Sequence, residues 1–227
     1  METLKNLKKL KVLLVEDEVK LSKFLKDAIG EYFADFAIAE DGNDGIKKFK
    51  KLKPDVIITD IMMPNLDGLE MSKAIRKIKK DTHVIVLSAH SHKDKLLKAI
   101  DIGINKYFIK PFDTDEVLLY LNNIAQEIKS LNTIKINSTY SYDKSSRSLY
   151  FNGVIMKLSK RERDFFHLLM SHQNAIVDAE KIKQMLWSDE NDVPDERLRT
   201  FIKRLRAKTS KTLIDNISGQ GYILSKR

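Results

Sequence analysis

Residues 12–18 read VLLVEDE. Four apolar residues suited to a buried strand run directly into three acids, Glu16, Asp17 and Glu18. A strand that is apolar on both faces belongs in a parallel sheet covered by helices on either side. Three adjacent carboxylates at its end repel one another unless a cation stands among them. The stretch therefore predicts a layered α/β fold and a cationic partner at the strand's C-terminal end.

The same kind of run recurs along the first half of the chain. After Lys11–Val15 come Phe36–Ala39, Asp55–Thr59, Val84–Ser88 and Lys106–Ile109. Between them lie stripes with helical spacing: Leu21, Phe24, Leu25, Ala28 and Ile29, then Met71, Ala74, Ile75 and Ile78. Leu96, Leu97 and Ile100 repeat the spacing before Gly103, a helix C-cap signal, and Val117, Leu118, Leu121, Ile124, Ala125 and Ile128 form the last stripe. Five strands alternating with five helices predict a doubly wound five-stranded parallel sheet. The Asp67-Gly68 pair reads as a turn.

Beyond residue 129 the rhythm changes. A polar tract, TIKINSTYSYDKSSRS, precedes a hairpin, LYFNGVIMKL, whose Asn152-Gly153 step is a two-residue turn signal. Helical segments follow at Lys160–His172, Ala179–Trp187 and Pro194–Lys208, and a second hairpin, TLIDNISGQGYIL, comes last. The reading is an α/β domain over 1–128, a linker at 129–132 and an α+β domain over 133–227.

Charge separates the halves too. The 227 residues carry a formal net charge of +9, yet residues 1–130 hold 23 basic and 21 acidic side chains, net +2, whereas residues 131–227 are net +7. The second half alone seeks anions, and nucleic acid suits it better than a membrane surface, since no long lysine-rich amphipathic helix with an aromatic face is present. No apolar run approaches the roughly 20 residues of a membrane helix. The chain has no cysteine, and its N-terminal METLKNLKKLK lacks the apolar core of a secretory signal, so a cytoplasmic protein is expected.

In doubly wound sheets ligands bind outside the carboxyl ends of the strands, where strand order reverses. Glu16, Asp17, Asp60, Ser88 and Lys110 all fall just past such ends. In the flavodoxin-like order 2-1-3-4-5, strands one and three are neighbours, so Glu16, Asp17 and Asp60 converge, and a hard divalent ion, Mg²⁺ above all, meets the charge.

Together VEDE (15–18), ITDIMMPNLDGLE (58–70), LSA (87–89) and YFIKPF (107–112) resemble the receiver domain of two-component response regulators over residues 10–128. The resemblance implies that Asp60 accepts a phosphoryl group from a phosphohistidine on a sensor histidine kinase. It implies Mg²⁺ held by Glu16, Asp17, Asp60 and the backbone carbonyl of Met62, with Lys110 and Ser88 on the phosphoryl oxygens. Ser88 and Tyr107 resemble the switch pair that reads phosphorylation, and Lys110-Pro111 resembles the family's cis peptide.

In the second half, DERLRTFIKRLRAK places Leu198, Phe201, Ile202 and Leu205 on one helical stripe. The opposite face gathers Arg199, Thr200, Lys203 and Arg204, flanked by Arg197, Arg206 and Lys208, a pattern able to anchor on a core and enter a major groove. Pro194, Asp195 and Glu196 suit the first turn and its dipole. LSKRERDFFHLL (158–169), Trp187, IKRLRAK (202–208) and GQGYIL (219–224) resemble the winged-helix effector domain of the OmpR/PhoB subfamily. That likeness implies double-stranded DNA with direct-repeat sites as partner, homodimerisation on phosphorylation, and a loop at 188–193 placed to meet RNA polymerase. Ser218 stands where a basic residue commonly precedes the wing glycine, which shifts expected phosphate contacts to Lys211 or to Lys226 and Arg227. Asn105, Lys106, Lys95, Leu96 and Tyr120 replace charges usual on the family's receiver dimer face, so the expected contact is either more apolar and less salt-sensitive on that face or made through a different face.

Two other classes compete. A Mg²⁺-dependent phosphatase of the haloacid dehalogenase type would carry a second aspartate two residues after its nucleophile, but Met62 occupies that position. The chain is thus expected not to be an enzyme, beyond a slow autodephosphorylation of Asp60. A constitutive DNA binder with a relic receiver would lack pocket residues that are all present here.

Overall fold

The computed structural model describes residues 5–89, 93–190 and 192–225, and the chain divides into two compact units, Met1–Ile128 and Lys129–Arg227. In the first, β1 (Lys11–Val15) lies between β2 (Asp35–Ala39) and β3 (Val56–Asp60). Then come β4 (His83–Ser88) and β5 (Lys106–Ile109), all parallel in the order β2-β1-β3-β4-β5. The helices are α1 (Val19–Ile29), α2 (Gly42–Leu52), α3 (Gly68–Ile78), α4 (Lys93–Ile102) and α5 (Thr114–Asn132).

Strand periodicity of two sorts β1 between two cores. Val12 and Leu14 pack with Leu25 and Ile29 of α1 and Val117, Leu121 and Ile124 of α5. Leu13 and Val15 face the other way, onto Phe49 of α2 and Met71 and Ile75 of α3. Both faces are thereby covered, and the continuous apolar run follows. Asp67 is the N-cap of α3, its Oδ1 accepting the Glu70 N–H at 2.8 Å, a bond that satisfies an otherwise orphaned helix donor. At the far end of α4, Gly103 takes φ +79° and the Ile104 N–H donates to Ala99 O at 2.9 Å, closing the helix in the left-handed manner.

Two details differ from the sequence reading. Leu96, Leu97 and Ile100, whose spacing marks α4, are exposed, and the sheet-facing position is Ala99. Residues 129–132, expected as a linker, are helical, because α5 runs on to Asn132.

The second unit begins with an antiparallel sheet of β6 (Thr133–Lys135), β7 (Tyr140–Asp143), β8 (Ser148–Phe151) and β9 (Val154–Ile155). Strands β6 and β7 occupy the tract read as a polar separator. The apolar residues that turn inward there are Ile134, Ile136, Tyr140 and Tyr142, among serines, threonines and asparagines. Asn152 and Gly153 take φ +49° and +78°, the double positive φ of a two-residue hairpin turn. Then follow α6 (Lys160–Ser171), α7 (Ala179–Leu186), α8 (Asp195–Lys208) and the hairpin β10 (Ile214–Ile217) with β11 (Gly221–Leu224). Helix α6 opens on a reciprocal capping box between Ser159 and Glu162. The core centres on Tyr142, Phe165, Phe166 and Trp187, and Phe201 meets Phe165 and Trp187 edge-on at 5.6 and 5.8 Å between ring centres.

Tyr142 is fully buried, its hydroxyl 3.2 Å from His167 Nδ1, and burial pushes its pKa up to about 12. The folded state therefore keeps a proton that the unfolded chain begins to release near pH 10. Stability from this group is complete below that pH and is lost as pH rises toward about 12, at about 1.4 kcal/mol per unit. Urea unfolding of wild type and Tyr142→Phe should show the wild-type advantage shrinking by about 1.4 kcal/mol between pH 9 and 11. A gap that does not change with pH would remove this tyrosine from the alkaline transition.

Candidate functional site

The parallel register aligns the C-terminal strand ends at one rim: Val15 pairs with Thr59, Asp60 with Leu87, and Ser88 with Ile109. Glu16 and Lys110 are each the next residue beyond β1 and β5. Asp60 Oδ2 accepts from Lys110 Nζ at 2.5 Å, Glu16 Oε2 accepts from the same ammonium at 3.0 Å, and Asp60 Oδ1 accepts the Met62 N–H at 3.1 Å. The Lys110–Pro111 bond is cis. Ser88 is buried at the end of β4, its carbonyl accepting the Lys110 N–H at 2.8 Å, and Tyr107 packs against Ile61, Leu69, Val86 and Ala99.

One ammonium thus serves two buried carboxylates. Burial raises the pKa of Glu16, more than the bond to Lys110 pulls it down. Burial likewise opposes the charge on Lys110, but its bonds to Asp60 and Glu16 outweigh that and raise its pKa. Of the three carboxylates expected to converge, Glu16 and Asp60 meet at the Lys110 ammonium. Asp17 is exposed, and among the described residues no three acids or histidines stand at metal-ligating spacing. The physical reason is repulsion: the lysine is drawn between the two acids that the sheet register forces together.

In the second unit α8 buries Leu198, Ile202 and Leu205 and exposes Arg199, Thr200, Lys203 and Arg204. Three of its flanking cations are engaged within the chain. Arg197 pairs with Glu190 and lies 4.9 Å over the Trp187 ring, Arg206 donates to the Ile214 carbonyl at 2.6 Å, and Lys208 pairs with Glu162 at 2.7 Å. Asp195 accepts from Lys183 at 2.9 Å, which ties the first turn of α8 to α7. Beside the exposed face, Lys211 and Asn216 line a groove of about 470 Å³ with Arg199 and Lys203. Arg161 of α6 shares a second hollow with Thr200 and Arg204. Asn216 and Arg161 lie off the periodic face of α8, so helical spacing alone does not mark them. Lys226 and Arg227 fall outside the described residues, as does Asn191 in the 188–193 loop.

A five-stranded receiver-like sheet with an acid and lysine rim, followed by a winged helix with a basic third helix, defines a signalling input joined to a DNA-binding output. Comparisons with known proteins agree. Residues 12–122 match the family described as response regulator receiver domain, and residues 153–224 match transcriptional regulatory protein, C terminal. The response regulator ArlR of Staphylococcus aureus is 29% identical over 217 residues, 94% of this chain and 98% of that protein. The receiver domain of Francisella response regulator 1452 is 33% identical over 53% of this chain and 100% of its own, with a TM-score of 0.50. The N-terminal domain of the Wolinella succinogenes protein WS1339 is 37% identical over 54% of this chain and 98% of its own, with a TM-score of 0.51. The chain belongs to the response regulators, with a receiver domain followed by a transcriptional regulatory C-terminal domain. Among the described residues no helix is long and apolar enough to cross a membrane.

Proposed function

We propose that Asp60 is the phosphoacceptor and that a sensor histidine kinase is the donor. The observation that carries this reading is the Lys110 ammonium 2.5 Å from Asp60 at the rim where Glu16 and Ser88 also end. An Asp60 oxygen attacks phosphorus, the P–N bond to the donor imidazole breaks as the P–O bond forms, and the imidazole leaves with the bonding pair. Lys110 then exchanges its carboxylate partner for the phosphoryl oxygens, and the Ser88 hydroxyl donates to one of them. Tyr107 follows Ser88 by moving within the cluster of Ile61, Leu69, Val86 and Ala99.

Mg²⁺ fits this donor set. Two buried carboxylates share a single ammonium, so one negative charge of the pair is not matched by a cation there. Glu16, Asp60, the adjoining Asp17 and the Met62 carbonyl would hold the ion, all hard oxygen donors. When bound, it neutralises charge on the transferring phosphoryl group.

The output is binding of double-stranded DNA in the cytoplasm, at direct repeats, with α8 in the major groove. Arg199, Thr200, Lys203 and Arg204 carry that contact, and Arg197, Arg206 and Lys208 chiefly brace the helix. Lys203→Ala and Arg204→Ala should each weaken binding by about 1–3 kcal/mol if a base is read, or lower the salt slope by about one unit if only a phosphate is met. Wild-type affinity and slope in both would move the reading face elsewhere. Contact with RNA polymerase through residues 188–193 completes the proposed output.

Phosphorylation promotes a homodimer through an apolar receiver contact. Leu96, Leu97 and Ile100 of α4 are exposed, and Lys106 lies over the rings of Phe108 and Tyr120 at 5.2 and 5.7 Å. Sedimentation of the chain with beryllofluoride should give a dimer that persists from low to high salt, because ionic pairs would be screened. Steep dissociation with salt would refute the apolar contact. The chain is proposed to be no multiple-turnover enzyme, and release of more than one phosphate per chain from a phosphomonoester would overturn that.

A further inference from the structure

Between α3 and α4 runs a groove of about 600 Å³, a size that takes a small organic ligand. Ile61, Leu69 and Ile102 give it an apolar floor. Lys73 and Lys77 line it from α3, spaced i and i+4 and so on one stripe, Lys80 lines it from the turn just beyond that helix, and Lys95 and Lys98 line it from α4. Six basic and three acidic side chains border it, an excess of three positive charges. Among the described residues none of the five lysine ammonium groups has an ion pair or hydrogen bond. Two stripes of like charge facing each other across a cleft repel, and a bound polyanion converts that repulsion into attraction.

The groove is also preformed. Arg76, its sixth cation, donates to the carbonyls of Lys80, Thr82 and Gly103 and to Asn105 Oδ1, fastening α3 to the turn before β4 and to the turn between α4 and β5. Floor residues Ile61 and Leu69 belong to the cluster on which Tyr107 packs, so an occupant touches the same cluster as the switch tyrosine. We propose that this groove binds a small organic polyanion of the nucleoside polyphosphate class. Its flat base would lie on the Ile61, Leu69 and Ile102 floor and its phosphates would meet the two lysine stripes. An apolar floor beneath a cationic rim complements that chemistry better than a bare inorganic anion, which leaves the floor wet.

The test is calorimetric titration of the full chain with ATP, GTP, adenosine and tripolyphosphate in EDTA, which keeps nucleotide from entering the carboxylate pocket as its Mg²⁺ complex. ATP or GTP should bind saturably, one per chain. Tripolyphosphate should bind about tenfold more weakly and adenosine not at all up to about 1 mM. Lys77→Glu with Lys98→Glu, and the milder Lys77→Ala with Lys98→Ala, should weaken the nucleotide at least about tenfold while leaving labelling by acetyl phosphate unchanged. Asp60→Asn should bind like wild type, which separates this groove from the phosphoacceptor pocket. Four results would overturn the proposal: no saturable nucleotide binding, equal binding by both lysine variants, equal affinity for tripolyphosphate, or saturation by a polyglutamate peptide where nucleotides fail, which would assign the groove to an acidic protein segment.

Discussion

In the Asp60→Asn protein, phosphate incorporation from acetyl phosphate is expected to fall to background while the chain remains folded. The amide cannot act as the oxygen nucleophile that the carboxylate supplies, so the loss is all-or-none rather than graded. The remaining oxygen still accepts the Met62 N–H, now 3.1 Å from Asp60 Oδ1. The new NH₂ group, however, meets the Lys110 ammonium where Asp60 Oδ2 now accepts at 2.5 Å, and two donors face each other. Lys110 keeps its bond to Glu16 at 3.0 Å, so it is not stranded in a buried site. The cost is therefore about that of one charged hydrogen bond, 1–3 kcal/mol, visible as a lower melting temperature without loss of fold. Intact-protein mass spectrometry after acetyl phosphate treatment measures the first effect, and undiminished labelling would place the acceptor elsewhere.

The rim of this pocket is legible in the sequence because parallel strands end together. Once VLLV, VIIT, VIVLS and KYFI are read as strands, Glu16, Asp60, Ser88 and Lys110 must share one edge. What the sequence does not carry is how side chains settle there. Lys110 reaches Glu16 and Asp60 across separations of 94 and 50 residues, and that geometry places the lysine between them. The same holds for α8. Its amphipathic stripe is periodic and therefore readable, but the commitments of Lys208 to Glu162 and Arg206 to the Ile214 carbonyl depend on packing between distant elements. Strands β6 and β7 escape notice because their inward residues are few and their neighbours are hydroxyl and amide side chains that signal turns. For α4, spacing reveals the helix but not its orientation, since Leu96, Leu97 and Ile100 have the period of a buried stripe and lie outside.

Gly68→Ala is expected to damage the fold and the phosphoacceptor together. Gly68 is the first residue of α3, its N–H donating to Ile61 O at 3.0 Å and its carbonyl accepting from Ser72 Oγ at 2.6 Å, so both its neighbours in space are fixed. A methyl group there would lie 1.9 Å from the Asp60 carbonyl oxygen and 2.7 Å from Thr59 Oγ1. Neither atom can yield cheaply. The carbonyl is backbone at the end of β3, and Thr59 is fully buried with its hydroxyl donating to that same carbonyl at 2.8 Å. Either α3 withdraws from the sheet or the end of β3 shifts, and overpacking of this severity costs about 3 kcal/mol. Hydrogen exchange of the β3 amides from Ile57 to Asp60 should then quicken by about 100-fold, the factor that follows from such a loss. Because the displaced carbonyl belongs to Asp60 itself, labelling by acetyl phosphate should fall as well, though not to background, since the carboxylate survives. Wild-type protection and labelling in Gly68→Ala would mean that α3 rides free of β3, and the rigid rim on which the phosphoacceptor reading rests would go with it.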